Sequence, residues 1–163
     1  MRVGHGYDVH RFKIGRRLVL GGIEIPYPEG LDGHSDADVV AHALMDALLG
    51  AAALGDIGMY FPPGDPQYKD SDSMELLERV MELIKAANYR IGNVDITIVA
   101  QQPKLFNFLP EMQQNIAAVL KTDVRNVNVK ATTEEGLGFT GACLGIAVHA
   151  VVLLKEKAGF RFL

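Results

Sequence analysis

Between Asp38 and Gly55 the chain reads VVAHALMDALLGAAAL, a helical stretch almost wholly apolar around its circumference. A helix without a broad polar face must be buried. From Val39 to Leu54 it falls short of the ~20 residues that a bilayer span requires, so the rest of the chain has to cover it. With 163 residues and 48% hydrophobic content, the chain can form one domain with a sizeable core. Two polar side chains, His42 and Asp46, interrupt the stretch one turn apart on the same face. Polar groups on a buried face need partners, and a polar site is expected above them.

Around this helix, residues 2 to 10 and 18 to 25 read as strands, the second bent at Gly21 and Gly22. Ser35 or Asp36 can cap the helix, which should run from about Asp38 to Leu54 and end at Gly55. DSDSMELLERVMELIKAANY is amphipathic, with Asp72 and Glu75 spaced as a variant capping box. IGNVDITIVAQ reads as a strand, LPEMQQNIAAVLK as a helix, NVNVKATT as a strand and GIAVHAVVLLK as a last strand. This order predicts the α+β class: a two-layer α/β sandwich whose mixed sheet, of four-stranded type, carries helices on one face. Residues 1–157 should form the single domain, and 158–163 a tail that frays or packs as an arm.

The net charge of -4, from 16 Lys+Arg against 20 Asp+Glu, argues against a nucleic-acid partner. An anionic ligand would need local cations. The single cysteine, Cys143, excludes an intrachain disulfide and, between Ala142 and Leu144, reads as a small core residue. MRVGHG shows no charged-then-apolar leader. A cytoplasmic protein without a membrane partner is expected, or a plastid one if a photosynthetic eukaryote removed a transit peptide.

GHGYDVH, residues 4 to 10, places Asp8 and His10 on one face of an extended strand, with Tyr7 and Val9 on the other. A carboxylate and an imidazole side by side are two ligands of a transition metal, and His42 is the candidate third. Asp46 would then orient His42 from behind. One aspartate and two histidines leave a tetrahedral Zn²⁺ one open position, the mark of a catalytic site that accepts an anionic oxygen. His5 has the wrong parity to join them, and His149, in an apolar strand, reads as a satisfied core histidine.

KATTEEGLGFTG contains a literal G-x-G-x-x-G, but a strand-like sequel argues against a dinucleotide fold. A turn after Thr132 and Thr133 can still offer hydroxyls and N–H groups to phosphate. Glu135 beside phosphates calls for a divalent cation between them. In AQQPKLF, backbone past a strand end can read a base edge while Lys104 meets a phosphate. His34 and Ser35, at the start of the apolar helix, can steady another phosphate, and Asp56 suits the hydroxyls of a polyol.

GHGYDVH, HSDADVVAHALMDALLGAAALGDIG, FPPGDP, QQPKL and KATTEEGLGFTG, in this order over residues 1 to about 155, resemble the 2-C-methyl-D-erythritol 2,4-cyclodiphosphate synthase family. The resemblance implies a homotrimer around a central axis with sites at subunit interfaces. It implies cyclisation of a cytidine-diphosphate-linked substrate of the non-mevalonate isoprenoid pathway, with release of CMP. It also implies Zn²⁺ at Asp8, His10 and His42, and Mg²⁺ or Mn²⁺ at Glu135 with the substrate phosphates. The cytidine pocket would comprise Ala100, Pro103, Lys104, Leu105, Phe106, Ala131, Thr132 and Thr133. Asp56, Ile57, Gly58, Phe61 and Asp65 would meet the erythritol part, with Asp8, His10, His34, Ser35, Glu134, Glu135 and Phe139 completing the substrate contacts. His34 and Thr133 would stabilise the transition state. Two positions depart from the bacterial pattern. Ala142 and Leu144 replace an arginine and a glutamate expected to line the central cavity, which leaves an apolar axis without the cation that would hold an isoprenoid diphosphate; Pro63 replaces a common aspartate. The alternatives are a metal-dependent phosphohydrolase, which would release inorganic phosphate, and an idle trimer that binds apolar isoprenoids.

Overall fold

The computed structural model describes residues 1–157, and the tail expected at 158–163 lies outside the described residues. In chain order the elements are β1 (Arg2–Ile14), β2 (Leu18–Leu20), β3 (Ile23–Ile25), β4 (Glu29–Leu31), α1 (Val39–Ala52), α2 (Ile57–Tyr60) and α3 (Ser73–Ala86). There follow β5 (Tyr89–Val99), α4 (Leu109–Val119), β6 (Val127–Thr132), α5 (Gly138–Gly141) and β7 (Gly145–Glu156). The main sheet has the order β4-β1-β7-β5-β6. Its strands pair antiparallel except for β5 and β6, which run parallel.

Two differences from the sequence reading stand out. The four expected strands gain a short fifth, β4, because β1 runs on to Ile14 and offers Phe12–Ile14 as a partner edge. Nothing in the three residues EGL announces a strand; the pairing does. Residues 18 to 25 form a separate hairpin, β2–β3, turned at Gly21 and Gly22 with φ of +59° and +74°. Two consecutive positive φ angles are the requirement of a tight hairpin turn that follows the strand twist.

Helix α1 lies on β1 and β7, with α3 against its other side. Its contact with β1 is backbone to backbone. A Cβ on Gly4 would overlap the Ala47 carbonyl oxygen, and one on Gly6 the Ala43 carbonyl oxygen. Glycines on the strand and alanines 43, 47 and 51 on the helix therefore let the two approach closely. This answers why GHGYDVH carries two glycines.

Asp38, rather than Ser35 or Asp36, caps α1, accepting from Val40 N at 3.0 Å and Ala41 N at 3.1 Å. The same carboxylate accepts from Gly21 N at 3.0 Å and Gly22 N at 2.7 Å, tying the hairpin turn to the helix start. Complete burial and the nearby Asp36 push its pKa up to about 6, against the pull of those N–H groups. At its other end α1 stops at Ala52, because Ala53 turns left-handed with φ of 59°. α3 starts at the Asp72 cap, whose side chain accepts from Met74 N.

The helices thus cover one face of the sheet. On the other, Val3, Tyr7, Val9 and Val151 stay exposed. Among the described residues no helix is long and apolar enough to cross a membrane.

Candidate active site

Asp8 and His10 follow Gly6 on the helix-facing side of β1, and His42 precedes Ala43 on α1. The close glycine–alanine contact therefore sets all three side chains at one point. Asp8 Oδ2 is 2.9 Å from His10 Nε2 and 3.1 Å from His42 Nδ1, and the two nitrogens are 3.2 Å apart. Ligands of a tetrahedral zinc ion with bonds of ~2.0–2.1 Å stand about 3.3 Å apart. The separations fit one ion, and among the described residues these three form a group able to share a metal.

The outer hydrogen bonds strengthen that fit. His10 Nδ1 donates to the Asp32 carbonyl at 2.5 Å, and Lys13 Nζ holds the Asp32 side chain at 2.8 Å. His42 Nε2 lies 3.0 Å from Ser73 Oγ and 3.2 Å from Ser35 Oγ. The Ser73 hydroxyl donates to Asp36 Oδ1 at 2.5 Å, so its lone pairs receive the His42 proton. These bonds assign each ring proton to the far nitrogen. Three lone-pair-bearing atoms are then left facing one another, an arrangement that a cation or a captured proton relieves. Burial opposes charge on Asp8, yet hydrogen bonds and charges from His10 and His42 outweigh it and hold its pKa well below the usual carboxylate range. Burial likewise opposes charge on His10, but the Asp8 hydrogen bond and charge and the Asp32 carbonyl raise its pKa.

Asp46 does not take the role expected of it. Its carboxylate accepts from Ile57 N at 2.8 Å, the first residue of α2, and leaves His42 to the two serines. Burial, with the Asp56 and Asp8 charges, raises its pKa despite that N–H bond. Ser73 was missed in the sequence because it sits beside a helix cap, where a serine is ordinarily solvated; here it is wholly buried.

A second feature lies at the same end of the sheet. The parallel strands β5 and β6 end together at Val99 and Thr132, and the loops beyond them enclose a cavity of about 230 Å³. Its lining includes Ala100, Pro103, Lys104, Leu105, Phe106, Ala131, Thr132 and Thr133, all of the residues predicted for a cytidine pocket. The Lys104 and Phe106 side chains are exposed at the rim, whereas Leu105 is buried.

A profile of the YgbB family matches residues 1–155. This chain belongs to the YgbB family. It is 60% identical over 157 residues to the 2-C-methyl-D-erythritol 2,4-cyclodiphosphate synthase of Moorella thermoacetica, covering 96% of each chain. It is 58% identical over 154 residues to the synthase of Clostridioides difficile, covering 94% of this chain and 96% of that one. Among solved structures, the bifunctional IspDF from Campylobacter jejuni superposes with a TM-score of 0.93 at 47% identity; the match covers 96% of this chain and 42% of that longer one. The Plasmodium falciparum IspF–CDP complex superposes with a TM-score of 0.84 at 38% identity, covering 96% of both.

The other residues that the resemblance to the synthase family implied fall into four groups. His34 and Ser35 do not stand at the helix start as expected, since α1 begins at its Asp38 cap; His34 is exposed in the preceding loop, its Nε2 3.3 Å from the Asp65 carbonyl, while Ser35 is buried behind His42. Asp56 caps α2, which holds Ile57 and Gly58; Asp65 accepts from Gln67 N, and Phe61 meets Tyr68 edge-on. Beyond β6, the Thr133 hydroxyl donates to Glu135 Oε1 at 3.2 Å, and Thr140 donates to Glu134. Glu135 stands outside the Asp8 cluster, in a left-handed conformation with φ of 52°. Phe139 lines a different groove with Val9 and His10. No residue lines both the β5–β6 cavity and the Asp8 cluster. β6 is three strand positions from β1, about 14 Å at ~4.8 Å per strand.

Two expectations about β7 and its approach are corrected. Cys143 is exposed, with φ of 57°, rather than a core residue. His149 is exposed too, because alternate residues of β7 face away from the helices. GFTG does open a helix, α5, but of a single turn that leads into an antiparallel strand, which excludes the dinucleotide fold as expected.

Proposed function

We propose that this chain converts 4-diphosphocytidyl-2-C-methyl-D-erythritol 2-phosphate to 2-C-methyl-D-erythritol 2,4-cyclodiphosphate, releasing CMP, in the non-mevalonate isoprenoid pathway. The observation that carries the reading is the convergence of Asp8, His10 and His42 in a chain 60% identical to a synthase. An oxygen of the substrate's 2-phosphate attacks the β-phosphorus, forming a new P–O bond, and the β-phosphorus–oxygen bond to CMP breaks. Nucleophile and electrophile share one molecule, so no protein nucleophile is needed. The protein has to hold a flexible chain folded and offset repelling anions. Orientation of this kind contributes about 7–11 kcal/mol in favourable cases.

The roles divide among the chain's own groups. The β5–β6 cavity takes the cytidine, with Lys104 at its rim meeting a phosphate as a point charge. Thr133 and His34 place donors at the transferring phosphoryl group, and Asp56 with Gly58 receives the polyol hydroxyls. Asp8, His10 and His42 would hold Zn²⁺ and Glu135 would hold Mg²⁺ or Mn²⁺; such ions supply Lewis-acid charge to phosphate oxygens. The hydrolytic alternative is not favoured, since the relatives described above are synthases.

The assembly we propose is a homotrimer about the exposed sheet face, acting in the cytoplasm. Two features support it: that face carries Val3, Tyr7, Val9 and Val151 uncovered, and the cavity and the Asp8 cluster are three strands apart. A neighbouring copy would bring one chain's cavity to another chain's metal site. Phosphorus NMR of the substrate with protein, Zn²⁺ and Mg²⁺ tests the activity. A cyclic diphosphate with stoichiometric CMP is expected, lost in His42→Ala; free orthophosphate would replace the reading with a hydrolase.

A further inference from the structure

We propose that Arg16 is a positioning residue for the reaction: its guanidinium braces the loop that carries His34. Arg16 lies in the turn between β1 and β2, and its side chain reaches the stretch between β4 and α1. Nε donates to the Leu31 carbonyl at 3.1 Å and Nη2 to the Ser35 carbonyl at 2.5 Å. The remaining nitrogen, Nη1, lies 3.8 Å from Asp70 Oδ1. Asp70, left-handed with φ of 57°, donates its backbone N–H to the His34 carbonyl at 2.9 Å. His34 is therefore held by its own carbonyl through Asp70 and by the next carbonyl through Arg16. Ser35 Oγ is 3.3 Å from Ser73 Oγ at the start of α3, so these contacts lie among the helices and not on the sheet face proposed for assembly.

The braced stretch serves the Asp8 site at three points. The Asp32 carbonyl meets His10, the Ser35 hydroxyl faces His42, and the His34 ring between them in sequence is exposed. Two of the three contacts have anchors of their own, Lys13 on Asp32 and Ser73 on His42. Among the described residues the His34 ring has a single polar contact, the Asp65 carbonyl at 3.3 Å. Its direction depends on the backbone that carries it, and so on Arg16. A planar fork of fixed donors suits carbonyls at both ends of a short loop, whereas a lysine offers a mobile point charge that cannot hold both. The inference rests on the reading in which His34 stabilises the transferring phosphoryl group. A displaced ring then acts on the transition state more than on substrate binding.

The test compares wild type with Arg16→Lys, both saturated with Zn²⁺ and Mg²⁺. Turnover is followed by phosphorus NMR, and the His34 ring by its proton–carbon NMR signal, assigned through its absence in His34→Gln. Arg16→Lys should lower kcat about 10- to 100-fold and leave KM and zinc affinity near wild type. The His34 signal should shift while those of His5 and His149 stay in place. An unmoved His34 signal, an unchanged kcat or a loss confined to KM overturns the proposal. A wild type that forms no cyclic diphosphate removes the functional reading instead, and the His34 signal alone then decides whether Arg16 positions this loop. Arg16→Gln, which keeps a donor for one carbonyl, is the second variant and should act in the same direction. If circular dichroism shows that neither variant folds, Arg16 is a structural residue and the proposal is overturned as well.

Discussion

His42 is held by a relay that begins at Asp36, which accepts from both the Ser73 backbone N–H at 3.1 Å and the Ser73 hydroxyl at 2.5 Å. Ser73→Ala breaks the relay and leaves the His42 tautomer to the longer Ser35 contact of 3.2 Å alone. Zinc affinity should fall about 10–100-fold in competition with a chelator, with the fold retained. Protonation offers a second test at this scale. The raised His10 pKa stabilises the metal-free fold fully below the ordinary value of about 6.5, and that contribution is lost as pH rises through the raised value. Zinc needs the neutral ring, so its affinity moves the other way, falling about tenfold per pH unit once pH drops below the His10 pKa. The rise in melting temperature caused by zinc should therefore be larger at pH 8 than at pH 6. The ligand triad was legible in the sequence because strand parity places Asp8 with His10, and a histidine on a buried helix demands partners. The outer hydrogen bonds were not. Asp46 shares a helix face with His42, yet an orphan N–H at the start of α2 claims it. Ser73 reaches His42 only through tertiary packing. His149 looked like core because its neighbours are apolar, but a strand turns every second residue the other way.

At the scale of elements, the contact between α1 and β1 makes the site. Gly6→Ala would drive a Cβ into the Ala43 carbonyl and lift the helix. It should destabilise the fold by about 1–3 kcal/mol or more in urea unfolding, and weaken zinc binding although no ligand is altered. Gly50, on the same helix, has open space around its Cα. Gly50→Ala should instead stabilise by about 0.5–1 kcal/mol and leave zinc binding unchanged. If both substitutions behaved alike, helix propensity rather than close approach would govern this interface. α3 and the long strands were readable from their periods, and α1 from an apolar run too long to be a strand and too short to span a bilayer. β4 was not, since a three-residue edge strand exists only through the β1 residues it pairs with.

For the whole molecule, the β5–β6 cavity and the Asp8 cluster lie three strands apart, and the sheet face away from the helices leaves Val3, Tyr7, Val9 and Val151 exposed. The proposed homotrimer would join both observations. Val3→Glu combined with Val151→Glu puts charge on that face without touching the Asp8 cluster. Sedimentation should show a trimer for wild type and a monomer for the double variant, which should lose turnover yet bind zinc at the Asp8 cluster as before. Retention of the trimer would point to a different surface. The proposed assembly was the least legible in the sequence, where the family resemblance carried it.

α1, pressed onto Gly4 and Gly6, brings Asp8, His10 and His42 together, and these three are proposed as the ligands of one ion. X-ray absorption at the zinc edge, on protein loaded with one equivalent, measures this directly. Two imidazole nitrogens and carboxylate or water oxygens at ~2.0–2.2 Å are expected, with the imidazole signal reduced in His42→Ala. A sulfur neighbour, or a spectrum unchanged by His42→Ala, would contradict it.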